Sequence, residues 1–102
     1  MAYLDTALKA EELAVGESRL VTLGEVKVAL FHTTNGLFAI NDVCPHRGAP
    51  LHEGFVTDGY VTCPWHQWNF QLSDGVCRNI PGARVASYRA EVRDGTVWID
   101  LG

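Results

Sequence analysis

No stretch of this chain approaches the roughly 18 consecutive apolar residues that a helix needs to cross a bilayer. Nor does it start with the basic and then apolar blocks of a signal sequence. Met1-Ala2-Tyr3-Leu4-Asp5 leads straight into a polar, strand-like segment. A cytoplasmic protein with no membrane partner is expected. Basic residues are in the minority. Eight Lys and Arg stand against twelve Asp and Glu, for a net charge of −4 and a pI near 5.4. That balance argues against nucleic acid as a partner and is compatible with docking on a basic surface. There are no repeats, linkers or low-complexity segments, and one candidate helical stretch, Lys9 to Leu13. Cysteine is scarce. Three residues cannot all pair, so a disulfide framework is not the organising principle.

What is there reads as β throughout. Arg19 to Leu23 and Val26 to Phe31 are β-branched or alternating, with Gly24-Glu25 as a turn. Thr34-Asn35-Gly36 turns the chain into Leu37 to Ile40. Gly54 to Thr57 and Tyr60 to Thr62 flank Asp58-Gly59. Trp68 to Leu72 alternates and ends at Ser73-Asp74-Gly75. The last hairpin joins Ser87 to Val92 with Thr96 to Ile99 through Asp94-Gly95. Short strands and frequent turns predict an all-β sandwich or small barrel. A chain of 102 residues that is 47% hydrophobic and 20% charged has room for one core, so a single domain over residues 1–102 is expected.

The chemistry concentrates in two short clusters. Cys44-Pro45-His46 is followed, 16 residues later, by Cys63-Pro64-Trp65-His66. Thiolate suits iron–sulfur clusters, and neutral imidazole suits iron, zinc and copper. Two metal sites take two Cys and two His. In a structural zinc site the cysteines pair as C-x₂₋₄-C and the histidines as H-x₃₋₅-H. Here each cluster mixes the two types, which favours a Rieske-type [2Fe–2S] centre with thiolates on one iron and imidazoles on the other. The intervening hairpin brings the two loops face to face.

Cys44-Pro45-His46-Arg47-Gly48 and Cys63-Pro64-Trp65-His66 resemble the two ligand loops of Rieske proteins, and the resemblance runs from about Tyr3 to Leu101. It is nearest to small members: Rieske ferredoxins of bacterial oxygenase systems and the small subunit of NAD(P)H-dependent nitrite reductase. It implies one [2Fe–2S] cluster, with Cys44 and Cys63 on the buried iron and His46 and His66 on the outer, reducible iron. The implied role is one-electron transfer from a flavoprotein reductase to a terminal oxygenase. The alternative is a place beside a nitrite reductase large subunit, suggested by His66-Gln67-Trp68-Asn69-Phe70. A complete oxygenase is not expected from this length, since His32 and His52 do not form a 2-His-1-carboxylate site.

Departures from the family pattern carry further expectations. Respiratory members hold an extra cysteine in each loop; here those places are Ala49 and Trp65, so no bridge forms. High-potential members direct a serine and a tyrosine hydroxyl at cluster sulfurs. The matching places are Trp68 and Phe70, which supply no O–H donor, and fewer such bonds imply a low potential. The cluster-binding part is expected at about 42–83, with Asn79 to Ala83 as a third, covering loop. Cys77 is read as a small buried thiol and His32 as structural. His52 is read as a surface or loop residue, Trp65 as a shield or contact residue, and Arg47 as solvated or facing an acidic partner.

Overall fold

A computed structural model describes residues 3–45, 47–65 and 67–102. Nine strands follow one another: β1 (Tyr3–Lys9), β2 (Ser18–Leu23), β3 (Val26–Thr33), β4 (Gly36–Asn41), β5 (Phe55–Thr57), β6 (Tyr60–Thr62), β7 (Asn69–Gln71), β8 (Ser87–Arg93) and β9 (Thr96–Asp100). The expected helical stretch is a single 3₁₀ turn, Ala10–Glu12, and a second such turn spans Leu51–Glu53. The Glu12 carboxylate accepts the Lys9 N–H at 2.9 Å and closes the first of these. The tight hairpins form where Asp-Gly was read. Asp58 and Gly59 have φ of 51° and 81°, and Asp94 and Gly95 have φ of 50° and 78°. Two successive positive φ angles match the right-handed strand twist in a two-residue hairpin, and Asp-Gly tolerates both.

All pairing is antiparallel. Six strands form one sheet in the order β1-β9-β8-β4-β3-β2, and its two end strands lie beside each other, so the sheet nearly closes into a barrel. The other three, β5-β6-β7, form a small sheet from the chain between β4 and β8. Two apolar clusters result. Leu8, Leu13, Val21, Val28, Leu30, Ala39, Val97 and Ile99 fill the barrel. Ala29, Phe31 and Ile40 belong instead to the core beneath the small sheet, with Leu51, Val61, Phe70 and Leu72.

Strands β3 and β4 are therefore a shared wall. Along β3 the side chains alternate between the two cores: Val28 and Leu30 to the barrel, Ala29 and Phe31 to the small sheet. This explains why Val28-Ala29-Leu30-Phe31 is an unbroken apolar run, as expected of a strand covered on both faces. Val61, Phe70 and Leu72 share a core with that wall; the first candidate ligand loop follows β4 and the second joins β6 to β7. Among the described residues no helix is long and apolar enough to cross a membrane.

Candidate metal centre

Two loops with the same backbone design stand at one end of the small sheet. In the first, the Cys44 N–H donates to the Ala49 carbonyl at 3.0 Å and the Gly48 N–H donates to the Cys44 carbonyl at 2.7 Å. In the second, the Cys63 N–H donates to the Trp68 carbonyl at 2.8 Å and the Gln67 N–H to the Cys63 carbonyl at 3.1 Å. Each cysteine thus accepts from the residue four places on and donates to the residue five places on. The residue four places on is left-handed in both loops: Gly48 has φ of 73° and Gln67 has φ of 60°. Glycine adopts that backbone without steric cost, whereas Gln67 does so against the usual L-residue penalty. Each loop also closes at its neck, through the Val43–Pro50 bridge in the first and the Thr62–Asn69 pair in the second.

This geometry sorts inside from outside. Cys44 and Cys63 are each 1% exposed and belong to the same apolar cluster. The loop apices turn outward: Pro45 and Arg47 are exposed, and Trp65 is 57% exposed. The expected imidazole ligands, His46 and His66, lie outside the described residues. No disulfide joins the cysteines of the described residues, and Ala49 in the first loop is fully buried.

Side chains outside the two cysteine–histidine clusters secure the two loops by different means. Asp42, 3% exposed, sits just before the first loop, and its Oδ1 accepts from the His52 backbone N–H at 2.8 Å and pairs with His52 Nδ1 at 2.9 Å. The Asp42 carbonyl accepts the Leu51 N–H at 2.8 Å, and Ser18 Oγ donates to the His52 carbonyl at 2.6 Å. His52, read from sequence as a surface or loop residue, is half-buried in the 3₁₀ turn Leu51–Glu53 and tied to Asp42. It closes the neck of the first loop from inside, because a buried carboxylate must be hydrogen-bonded.

The third loop meets the second through Asn79. Its Oδ1 accepts from the Asn69 N–H at 3.0 Å and from the Cys77 thiol at 3.3 Å, and its Nδ2 donates to the Gln67 carbonyl at 3.1 Å. The Cys77 N–H donates to the Ala83 carbonyl at 3.0 Å and the Arg78 N–H to the Asn69 carbonyl at 2.7 Å, which lays this segment against β7. Ile80 and Ala83 pack on the same core as the two ligand-loop cysteines. Cys77 is the buried thiol anticipated, 6% exposed. The His32 ring pairs through Nδ1 with the Leu13 carbonyl at 2.7 Å, consistent with a structural role. Phe70 is fully buried, and the Trp68 ring lies 6.4 Å from it, tilted by 38°.

The donor chemistry fits an iron–sulfur cluster. Two soft thiols lie in one water-excluded core, each in one of the matched turns, and the other two candidate donors of the motif are imidazoles. A Rieske [2Fe-2S] domain profile matches residues 5–89. The chain is 33% identical over 93 residues to the anthranilate 1,2-dioxygenase ferredoxin subunit of Burkholderia cepacia, covering 90% of this chain and 86% of that protein. It is 35% identical over 112 residues to the 3-chlorobenzoate-3,4-dioxygenase oxygenase subunit of Comamonas testosteroni, covering 98% of this chain but 26% of that protein, so it spans about a quarter of that relative. It superposes on the ferredoxin of carbazole 1,9a-dioxygenase from Nocardioides aromaticivorans IC177 with a TM-score of 0.87, over 97% of each chain at 19% identity, a likeness of fold. Fold, paired loops and profile agree: the chain belongs to the Rieske [2Fe-2S] domain family and its cofactor is one [2Fe–2S] cluster.

Proposed function

We propose that this protein is a one-electron carrier that takes electrons from a flavin-dependent reductase and delivers them to a terminal oxygenase in the cytoplasm. In this reading Cys44 and Cys63 hold the inner iron, and His46 and His66 hold the outer iron. The observation that carries it is the pair of matched turns, which bury both thiols and leave the apices exposed. The match along nearly the full length of a dioxygenase ferredoxin subunit supports the carrier role over a catalytic one.

Bound, the cluster supplies a centre that gains and loses one electron at a time. The protein supplies the rest. Cys44 and Cys63 as thiolates cancel the +2 charge of the oxidised core, so the oxidised site is neutral. The apolar core around them excludes water. Val43, Trp65 and Arg47 are exposed on or beside the loop apices, where a partner would approach. Trp65 gives that surface an apolar contact, and Arg47 is the one charged residue in residues 43–50 and 62–69.

Mild cross-linking in native cells, followed by mass spectrometry of what co-purifies, tests the route. A flavoprotein reductase recovered together with an oxygenase supports the carrier. A large sirohaem reductase recovered in fixed stoichiometry replaces it with the nitrite reductase small-subunit role.

A further inference from the structure

We infer that Asn79 is a positioning residue for the metal centre, acting through the second ligand loop. This rests on the reading of Cys63 and His66 as ligands. The two loops share one backbone design, yet they differ in how the left-handed residue is held. Gly48 adopts its φ of 73° without cost and has no side-chain strap at its carbonyl among the hydrogen bonds of the described residues. Gln67, with φ of 60°, is strained and follows His66 directly in the chain. Its carbonyl receives the Asn79 amide, while the Asn79 oxygen takes the Asn69 N–H on the other side of Trp68.

One side chain from the third loop thus spans the exit of the second ligand loop. It fixes the peptide plane after Gln67 and the start of β7 together. Cys63, which accepts from the Gln67 N–H and donates to the Trp68 carbonyl, lies in the turn that this strap closes. Cys77 contributes by occupying the second lone pair of Asn79 Oδ1, which fixes which edge of the amide faces Gln67. Aspartate is the discriminating replacement. Asn79→Asp keeps an acceptor for Asn69 and Cys77 but turns an oxygen toward the Gln67 carbonyl. Asn79→Ala removes all three bonds.

The test compares both variants with the wild-type holoprotein. Iron and sulfide content, the electron paramagnetic resonance spectrum of the reduced form, the rate of cluster loss to a chelator and the melting temperature are measured. Hydrogen exchange is followed in peptides covering each ligand loop. Both variants are expected to show broadened or shifted g-values and cluster loss at least about tenfold faster, the scale of one lost hydrogen bond, with oxygen–oxygen repulsion adding to it in Asn79→Asp and the other two lost bonds adding to it in Asn79→Ala. Exchange should rise in the second loop and stay unchanged in the first, whose Gly48 amide makes the matching bond and serves as an internal control. A variant that folds but does not retain its cluster, while the wild type does, is the same result carried to completion. Asn79→Asp with wild-type spectrum, cluster-loss rate and exchange overturns the inference. So does a lower melting temperature with both loops exchanging faster alike, since that marks general destabilisation. If Asn79→Ala does not fold, Asn79→Asp decides alone. A wild-type protein without iron, sulfide or a Rieske signal sinks the underlying ligand assignment instead.

Discussion

At the scale of single residues, the buried Asp42 carboxylate and His52 hold the neck of the first candidate ligand loop. Cys44 and Cys63 stand out through local spacing, because C-x-H and C-x-x-H each bring a thiol and an imidazole close together in the sequence. Asp42 and His52 are ten residues apart and belong to no motif; only the closure of the first loop brings them together. The resulting pair has a measurable weight. Asp42→Ala leaves the His52 backbone N–H without its acceptor in a buried place, and a cost of about 2 kcal/mol is expected. His52→Ala keeps the backbone bond and loses the ring contact, at about 1 kcal/mol. Denaturant unfolding should show the midpoint falling in that order with the slope unchanged. Equal values for the two variants would mean that the backbone bond adds nothing. Gln67 was similarly hidden, since a left-handed glutamine has no compositional signal. Superposing the two cysteine clusters in sequence would have exposed it, because Gly48 and Gln67 both stand four residues after a cysteine.

At the scale of elements, strands and turns were read nearly to the residue where Asp-Gly pairs and alternation set them. The first strand was foreseen as a strand-like opening without bounds. What sequence could not show is that β3 and β4 separate two cores, because an apolar run does not say what covers each face. The shared wall makes adjacent residues of β3 separable. Leu30 faces the barrel and Phe31 faces the small sheet, and both are buried to within 1%. Leu30→Ala and Phe31→Ala should each destabilise by about 3–4 kcal/mol through lost transfer energy and a residual cavity. Their effects on the metal centre should differ. Phe31→Ala empties space in the core that contains Cys44 and Cys63, so it should release iron faster to a chelator. Leu30→Ala should lower the melting temperature and leave the release rate near wild type. Matched release rates would show that the two cores behave as one.

At the scale of the whole molecule, the barrel and the metal-binding segment depend on the cluster to different degrees. Thiolate ligation links metal binding to folding. In the proposed ligation, loss of the cluster leaves Cys44 and Cys63 in an apolar interior but removes the bonds that would join the two loops. Removal of iron should therefore raise hydrogen exchange across residues 42–86 well before it does so in β1, β2, β8 and β9. Simultaneous exchange throughout would mean that the small sheet and barrel unfold as a unit. The potential is set by the same surroundings. High-potential relatives place hydroxyl donors near the sulfurs, where they withdraw electron density and ease reduction. Here Phe70 is fully buried and carries no polar atom, and Trp68 has no O–H. A cluster with fewer donors holds more charge on its sulfurs and resists the added electron. The midpoint at neutral pH should lie near the low end of the Rieske range, about −150 mV. Phe70→Tyr, if its hydroxyl reaches a sulfur, should raise that value, and protein-film voltammetry measures both. A wild-type midpoint well above zero would mean that other donors, such as backbone amides of the two matched turns, dominate the potential.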